Sequence, residues 1–129
     1  MKEIYLDNAA TTKVAPEVLQ TMLCYFTDKY GNASSQHKKG QEAKHSLEKS
    51  RKIIAKSINA KPQGIIFTSG GTESDNFALK GTAYYYKTKG KNHLIVSKIE
   101  HPAVLNTAKT LEKNGFRVTY LNVDEEGFV

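Results

Sequence analysis

Three features of this chain could do chemistry: a glycine turn, two histidines placed in loops, and one cysteine. The glycine turn is Ser69-Gly70-Gly71-Thr72, and it comes after the apolar run Ile65-Ile66-Phe67. A short run of β-formers bounded by Gly64 and by Gly70-Gly71 reads as a buried strand. The residues after the glycines read as the first turn of a helix. Thr72 and Asp75 stand at capping-box spacing, with Asp in place of the usual Glu or Gln, so Thr72 is the expected N-cap. Glu73 and Asp75 then occupy the first turn, where acidic side chains suit the positive end of the helix dipole. A turn of this kind can bind an anion, because unpaired N–H groups point outward and two glycines let a phosphate approach the main chain. It can equally be a plain strand-to-helix connection, since Gly-Gly marks turns in general. No lysine comes after the glycines, so the P-loop pattern is absent, as is Gly-x-Gly-x-x-Gly.

His101 precedes Pro102, a residue suited to the first position of a helix, which puts the histidine near the N-cap. An imidazole offers a stacking face and titrates near neutral pH. On its own, His101 reads as a helix cap. His37 lies in the loop Tyr30-Gly31-Asn32-Ala33-Ser34-Ser35-Gln36-His37. No partner Cys or His stands at metal-ligand spacing, so an exposed or loop-bracing role is expected for it, and no metal site is expected. Cys24 has no histidine or base near it in sequence and falls beside an apolar helix face. It reads as a packing thiol rather than a nucleophile.

The elements that must position these groups are set by periodicity. Residues 4–6 form a short extended segment and residues 7–12 a small polar loop. Pro16 starts a helix whose apolar face is Val18, Leu19, Met22, Leu23, Tyr25 and Phe26. A long helix over 41–58 carries Ala43, Leu47, Ile54 and Ile58 on one face and is ended by Asn59 and Pro62. Glu48 and Lys52 make a favourable i, i+4 pair, worth ~0.2–0.5 kcal/mol. The helix beginning at Thr72 runs to about Lys89, with Gly81 inside it allowing a close helix-to-sheet approach. A second strand covers 94–97, a helix runs from Pro102 to Asn114-Gly115, and a third strand covers 116–123, before a turn at Asp124-Glu125-Glu126-Gly127. From Gly64 onward the order is strand, helix, strand, helix, strand, the βαβαβ pattern of a parallel sheet. Ligands in such sheets sit beyond the carboxyl ends of the strands. Thr72 comes after the first strand and His101 after the second, so both belong to one sheet edge.

Composition narrows the classes. The chain has 129 residues, 39% hydrophobic and 25% charged, which suits one small globular domain or a piece of a larger one. No apolar run approaches a membrane span, and the N-terminus lacks an apolar core of signal-peptide length. A cytoplasmic location is the expectation. The single cysteine excludes an intrachain disulfide framework. The net charge of +6 could serve nucleic acid or an anionic ligand. However, the lysines alternate with acids or sit on amphipathic helix faces, and no nucleic-acid-binding motif accompanies them. Tyr84-Tyr85-Tyr86 cannot form a base-stacking platform, because consecutive helix positions point in different directions.

The spelling of the glycine turn says more than its spacing. Phe67-Thr68-Ser69-Gly70-Gly71-Thr72-Glu73-Ser74-Asp75-Asn76 closely resembles the phosphate-binding segment of the cysteine desulfurases, pyridoxal-phosphate enzymes of aminotransferase class V. Tyr5-Leu6-Asp7-Asn8-Ala9-Ala10-Thr11-Thr12 resembles their N-terminal signature, with Lys13 where proline is often found. Residues 31–37 resemble Gly-Asn-Pro-Ser-Ser-x-His, with Ala33 replacing the proline. Glu100-His101-Pro102-Ala103-Val104-Leu105 resembles the motif holding the histidine that stacks on the pyridoxal ring. The resemblance implies that Gly71 and Thr72 hold the cofactor phosphate. It also implies that His101 lies over the ring and shuttles protons, as both a cofactor-binding and a catalytic residue.

The implied fold is α/β: part of the large domain of an aspartate aminotransferase-like, fold type I transferase. The N-terminal loop and helices (1–62) lead into the start of the cofactor-binding domain (63–129). The implied reaction takes sulfur from L-cysteine, giving L-alanine and an enzyme persulfide for iron–sulfur or other sulfur transfer. The resemblance covers roughly the first third of a family member. The lysine that carries the cofactor, the acidic partner of its ring nitrogen and the persulfide cysteine have no counterpart here. The chain alone is therefore expected to be inactive. It should need the remainder of the desulfurase, a sulfur-acceptor or scaffold protein, and in the full enzyme a homodimeric partner, with no nucleic acid or membrane. The alternative is a non-catalytic remnant or interaction module that binds a phosphate-bearing ligand or a desulfurase partner.

Overall fold

A computed structural model describes residues 3–129. They form two compact units, one reaching to Ile66 and the other spanning Phe67–Val129.

The first unit holds two helices, α1 (Pro16–Thr27) and α2 (Lys38–Ser57), then one 3₁₀ turn at Pro62–Gly64. Helix α1 starts at proline, whose fixed φ suits the first helical position. Helix α2 begins three residues before the expected start, because His37 caps it: the ring Nδ1 accepts the Gly40 N–H at 3.4 Å. Its charge pairing differs too. Arg51 Nε donates to Glu48 at 3.1 Å, an i, i+3 pair, and the Arg51 guanidinium also donates to the Ile65 carbonyl. The planar fork of arginine can serve both acceptors, which the ammonium of Lys52 cannot do as well. Cys24 is half-buried and its thiol donates to the Thr21 carbonyl at 3.6 Å.

The second unit runs α3 (Gly71–Lys87), β1 (His93–Ser97), α4 (Pro102–Lys113) and β2 (Arg117–Leu121). The two strands pair in parallel, Leu94 against Val118 and Val96 against Tyr120, so α4 is the crossover that parallel pairing requires. The core is Ala83 of α3, Leu111 of α4 and Phe116, with Leu94 packed against them. The Tyr84 ring meets Phe116 edge-on at 5.4 Å. Lys87 places its ammonium 4.5 Å from the Phe116 ring centre while donating to the Asn114 carbonyl.

Three expectations are corrected. The sheet of the described residues has two strands rather than three. Residues 65–68 join no ladder, and Ile66 and Phe67 are 57% and 44% exposed. Side-chain type favours a strand there, but a strand exists only where a neighbour takes its N–H and C=O groups. Helix α3 starts at Gly71 with Gly70 as its N-cap, so Thr72 is inside the first turn and the Thr72–Asp75 capping box does not form. Gly81 makes no close approach: a Cβ there would meet nothing within 4 Å.

Candidate functional site

The head of α3 is built by side chains that reach back along the chain. Glu73, third in the helix, accepts from the Ser69 N–H at 2.6 Å and from the Ser69 hydroxyl at 2.7 Å. Like the acid of a capping box, Glu73 is third in the helix and reaches back to a main-chain N–H, but it bonds Ser69, one residue before the N-cap Gly70, and the register lies two residues before the expected Thr72–Asp75 pair. The Ser69 N–H, and then its hydroxyl, hold the Glu73 carboxyl below its ordinary pKa. Thr68 and Ser74 share a hydroxyl hydrogen bond of 2.6 Å that closes the turn.

The first helical bond runs from Ser74 N–H to the Gly70 carbonyl at 3.1 Å. The N–H groups of Gly71, Thr72 and Glu73 therefore lie outside the ladder, at the positive end of the helix. The Thr72 hydroxyl, the expected cap, makes no hydrogen bond among the described residues and is exposed. A Cβ added at Gly70 or Gly71 would meet nothing within 4 Å. The packing of this chain therefore does not call for glycine at either position.

His101 is the N-cap of α4, with Pro102 at the first helical position as the sequence predicts. Its Nδ1 accepts the Ala103 N–H at 3.1 Å. A main-chain N–H can only donate, so Nδ1 is the unprotonated nitrogen and the neutral ring carries its proton on Nε2. His101 is exposed beyond that bond.

Thr72 and His101 line one hollow between the first turns of α3 and α4, together with Asn76, Asn106 and Thr107. Gly71 stands beside Thr72 at the helix start and is not part of that lining. Two lining residues escape a reading by local pattern. Asn76 donates its amide to the Thr72 carbonyl at 2.9 Å, and Thr107 donates its hydroxyl to the Asn76 amide oxygen at 2.8 Å. The only local signal for them is a poor helix former at position 76 and a hydroxyl on the apolar face of α4.

A roomier groove lies between α3 and β1, lined by Leu79, Ala83, Tyr86, Leu94, Ile95 and Phe116 among others. Its lining also includes Lys91, Asn92 and His93, and the His93 ring is already engaged by Thr119 and Arg117. No group of three His, Cys, Asp or Glu among the described residues is arranged to hold a metal ion.

In sequence and fold the chain is similar to known proteins. The family model for aminotransferase class-V matches residues 4–129. The cysteine desulfurase IscS of Clostridium botulinum (strain Kyoto / Type A2) is 53% identical over 128 residues, covering 99% of this chain and 32% of that protein. The cysteine desulfurase IscS of Neisseria meningitidis serogroup C (strain FAM18) is 55% identical over 127 residues, 98% of this chain and 31% of that protein. Among solved structures, a NifS-like protein superposes with a TM-score of 0.83 at 44% identity, over 91% of this chain and 32% of that one. SspA in complex with cysteine gives 0.80 at 43%, over 90% of this chain and 33% of that one. The chain thus spans about a third of the length of the relatives it matches.

Proposed function

The chain belongs to the aminotransferase class-V family, and from that premise we propose that it is the N-terminal part of a pyridoxal-phosphate-dependent cysteine desulfurase. Residues 1–62 supply the N-terminal loop and helices, and 63–129 the start of the cofactor-binding domain. The reaction is L-cysteine plus an enzyme thiol giving L-alanine plus an enzyme persulfide: the carbon–sulfur bond breaks and a sulfur–sulfur bond forms. When bound, pyridoxal phosphate supplies an electron sink for bond breaking at the amino acid.

The carrying observation is that the uncommitted Thr72 hydroxyl and the exposed His101 ring line one hollow, at a helix end with three N–H groups outside the ladder. The residues present fit the group. In this reading Gly71 and Thr72 hold the phosphate through main-chain N–H groups and the Thr72 hydroxyl. Open space above Gly70 and Gly71 lets it come close. His101 would hold the ring through its imidazole face, with its proton available at Nε2. Taking a proton at Nδ1 requires it to release the Ala103 N–H, so its proton transfer is coupled to the cap of α4. The sulfur-acceptor or scaffold protein, the homodimeric partner and a cytoplasmic setting belong to the same reading. No helix of the described residues is long and apolar enough to cross a membrane.

The deciding experiment joins this chain to the remaining two-thirds of the C. botulinum relative by co-expression and measures alanine formed from L-cysteine with pyridoxal phosphate. Activity in the joined pair and none in either part supports a split or partial desulfurase. A stable pair that binds the cofactor but forms no alanine would turn the assignment toward a non-catalytic module.

A further inference from the structure

We propose that Asn76 and Thr107 are positioning residues, a two-bond relay that sets the register of the α3 head, with Thr72, against the α4 head, with His101. The inference rests on the cofactor reading above for its consequence, and on geometry alone for its existence. Thr107 is 3% exposed and is the one buried polar side chain among the described residues. Four other helical hydroxyls satisfy themselves locally: Thr21, Ser46, Ser50 and Thr110 each donate to the carbonyl four residues back. Thr107 instead crosses to the other helix and donates to the Asn76 amide oxygen at 2.8 Å.

The direction of the relay is fixed. The Thr72 carbonyl can only accept, so the Asn76 amide nitrogen faces it, at 2.9 Å. The amide oxygen is then left for Thr107, whose hydroxyl must donate. Sliding α3 along α4 would break this cross-helix bond and leave the half-buried Asn76 amide oxygen without its partner, with Thr107 falling back on the carbonyl four residues behind it. Two apolar residues would pack α3 on α4 without selecting one register. This pair selects the register that puts Thr72 and His101 on the same hollow.

The test uses the full chain with pyridoxal phosphate as the probe, reading its dissociation constant by absorbance titration and amide hydrogen exchange at residues 74–76. Thr107→Val keeps the shape and removes the hydroxyl, and Thr107→Ser keeps the hydroxyl. We expect the valine variant to bind about tenfold more weakly and to exchange faster at 74–76, with serine restoring both. Asn76→Ala, at a half-buried position and with a better helix former, should weaken binding to a similar degree. It carries the test if the valine variant does not fold. Wild-type affinity and unchanged exchange in Thr107→Val and Asn76→Ala overturn the relay. If the unaltered chain binds no pyridoxal phosphate, the cofactor reading of the isolated chain fails by itself. Exchange at 74–76 then decides the relay: acceleration by valine and recovery by serine support it, and no change overturns it.

Discussion

Gly40 and Gly71 stand in the first turns of two helices, and their surroundings are opposite. At Gly40, in the first unit, a Cβ would stand 2.7 Å from the Asn32 carbonyl oxygen and closer still to the Ser35 carbonyl. Gly31, nearby in sequence, is just as confined: a Cβ there would lie 2.9 Å from the Lys39 carbonyl carbon. These glycines let the loop over residues 31–37 fold onto the start of α2. At Gly71, in the second unit, a Cβ would meet nothing within 4 Å. Helix propensity favours alanine at both sites. Gly40 is therefore explained by the chain's own packing, and Gly71 is not. Gly81 is equally open in the middle of α3, so open space alone names no ligand; Gly71 differs in standing at the helix head, beside Thr72.

The largest effect we expect comes from setting the two glycines against each other. Gly40→Ala pushes a methyl group into main-chain oxygens that cannot step aside, so it should destabilise by about 1–3 kcal/mol, the usual range for overpacking. Gly71→Ala should leave stability unchanged, or raise it by about 0.4–1 kcal/mol through the unfolded state, while weakening pyridoxal phosphate binding about tenfold or more. Thermal unfolding and cofactor titration of the two variants test the contrast. Equal loss of stability at both sites would remove the argument that Gly71 is kept for a ligand.

The two histidine caps sharpen the same contrast with a smaller effect. His37 and His101 each accept a main-chain N–H through Nδ1, at 3.4 Å and 3.1 Å. Replacing either with alanine should cost about 0.5–2 kcal/mol, as for other N-caps. Only His101→Ala should also lose cofactor affinity and, in the joined two-part enzyme, alanine formation. His101→Asn restores a capping acceptor without a stacking imidazole. It should recover stability and leave the cofactor defect, which separates the two duties of His101. Recovery of both by asparagine would reduce His101 to a cap.

Much of this molecule is legible in its sequence, and the reasons are local. Pro102 marks the start of α4 and hence the cap at His101, and Pro16 does the same for α1. The glycine turn and the motifs around it point to the hollow that Thr72 and His101 line, although the strand expected before Thr72 does not form. The features that are not legible depend on partners distant in sequence. The run over 65–68 has strand-forming side chains, but no spacing states which neighbour would pair with it. The bond from Thr107 to Asn76 spans 31 positions and leaves no local signature. The capping register is hidden for a subtler reason. Thr72 to Asp75 and Gly70 to Glu73 share one spacing, and the reach of Glu73 back to Ser69 selects the second.

Glu73 carries the smallest expected effect and the one with a pH signature. Helix α2 has no acidic residue in its first turn, whereas α3 has Glu73. Its carboxyl is held below the ordinary value first by the Ser69 N–H and then by the Ser69 hydroxyl. A carboxyl with a lowered folded pKa stabilises when ionised. That contribution is complete above the unfolded glutamate value of about 4.3, and it is lost as pH falls through the lower folded value. Glu73→Gln should therefore lower the melting temperature slightly at pH 7. The gap from the unaltered chain should close as pH falls below about 4, because the protonated acid and the amide then cap alike. A Glu73→Gln gap that stays constant from pH 7 to about pH 3, well below the glutamate range, would mean that Glu73 acts by packing alone. The charged cap at the head of α3 would then have to be abandoned.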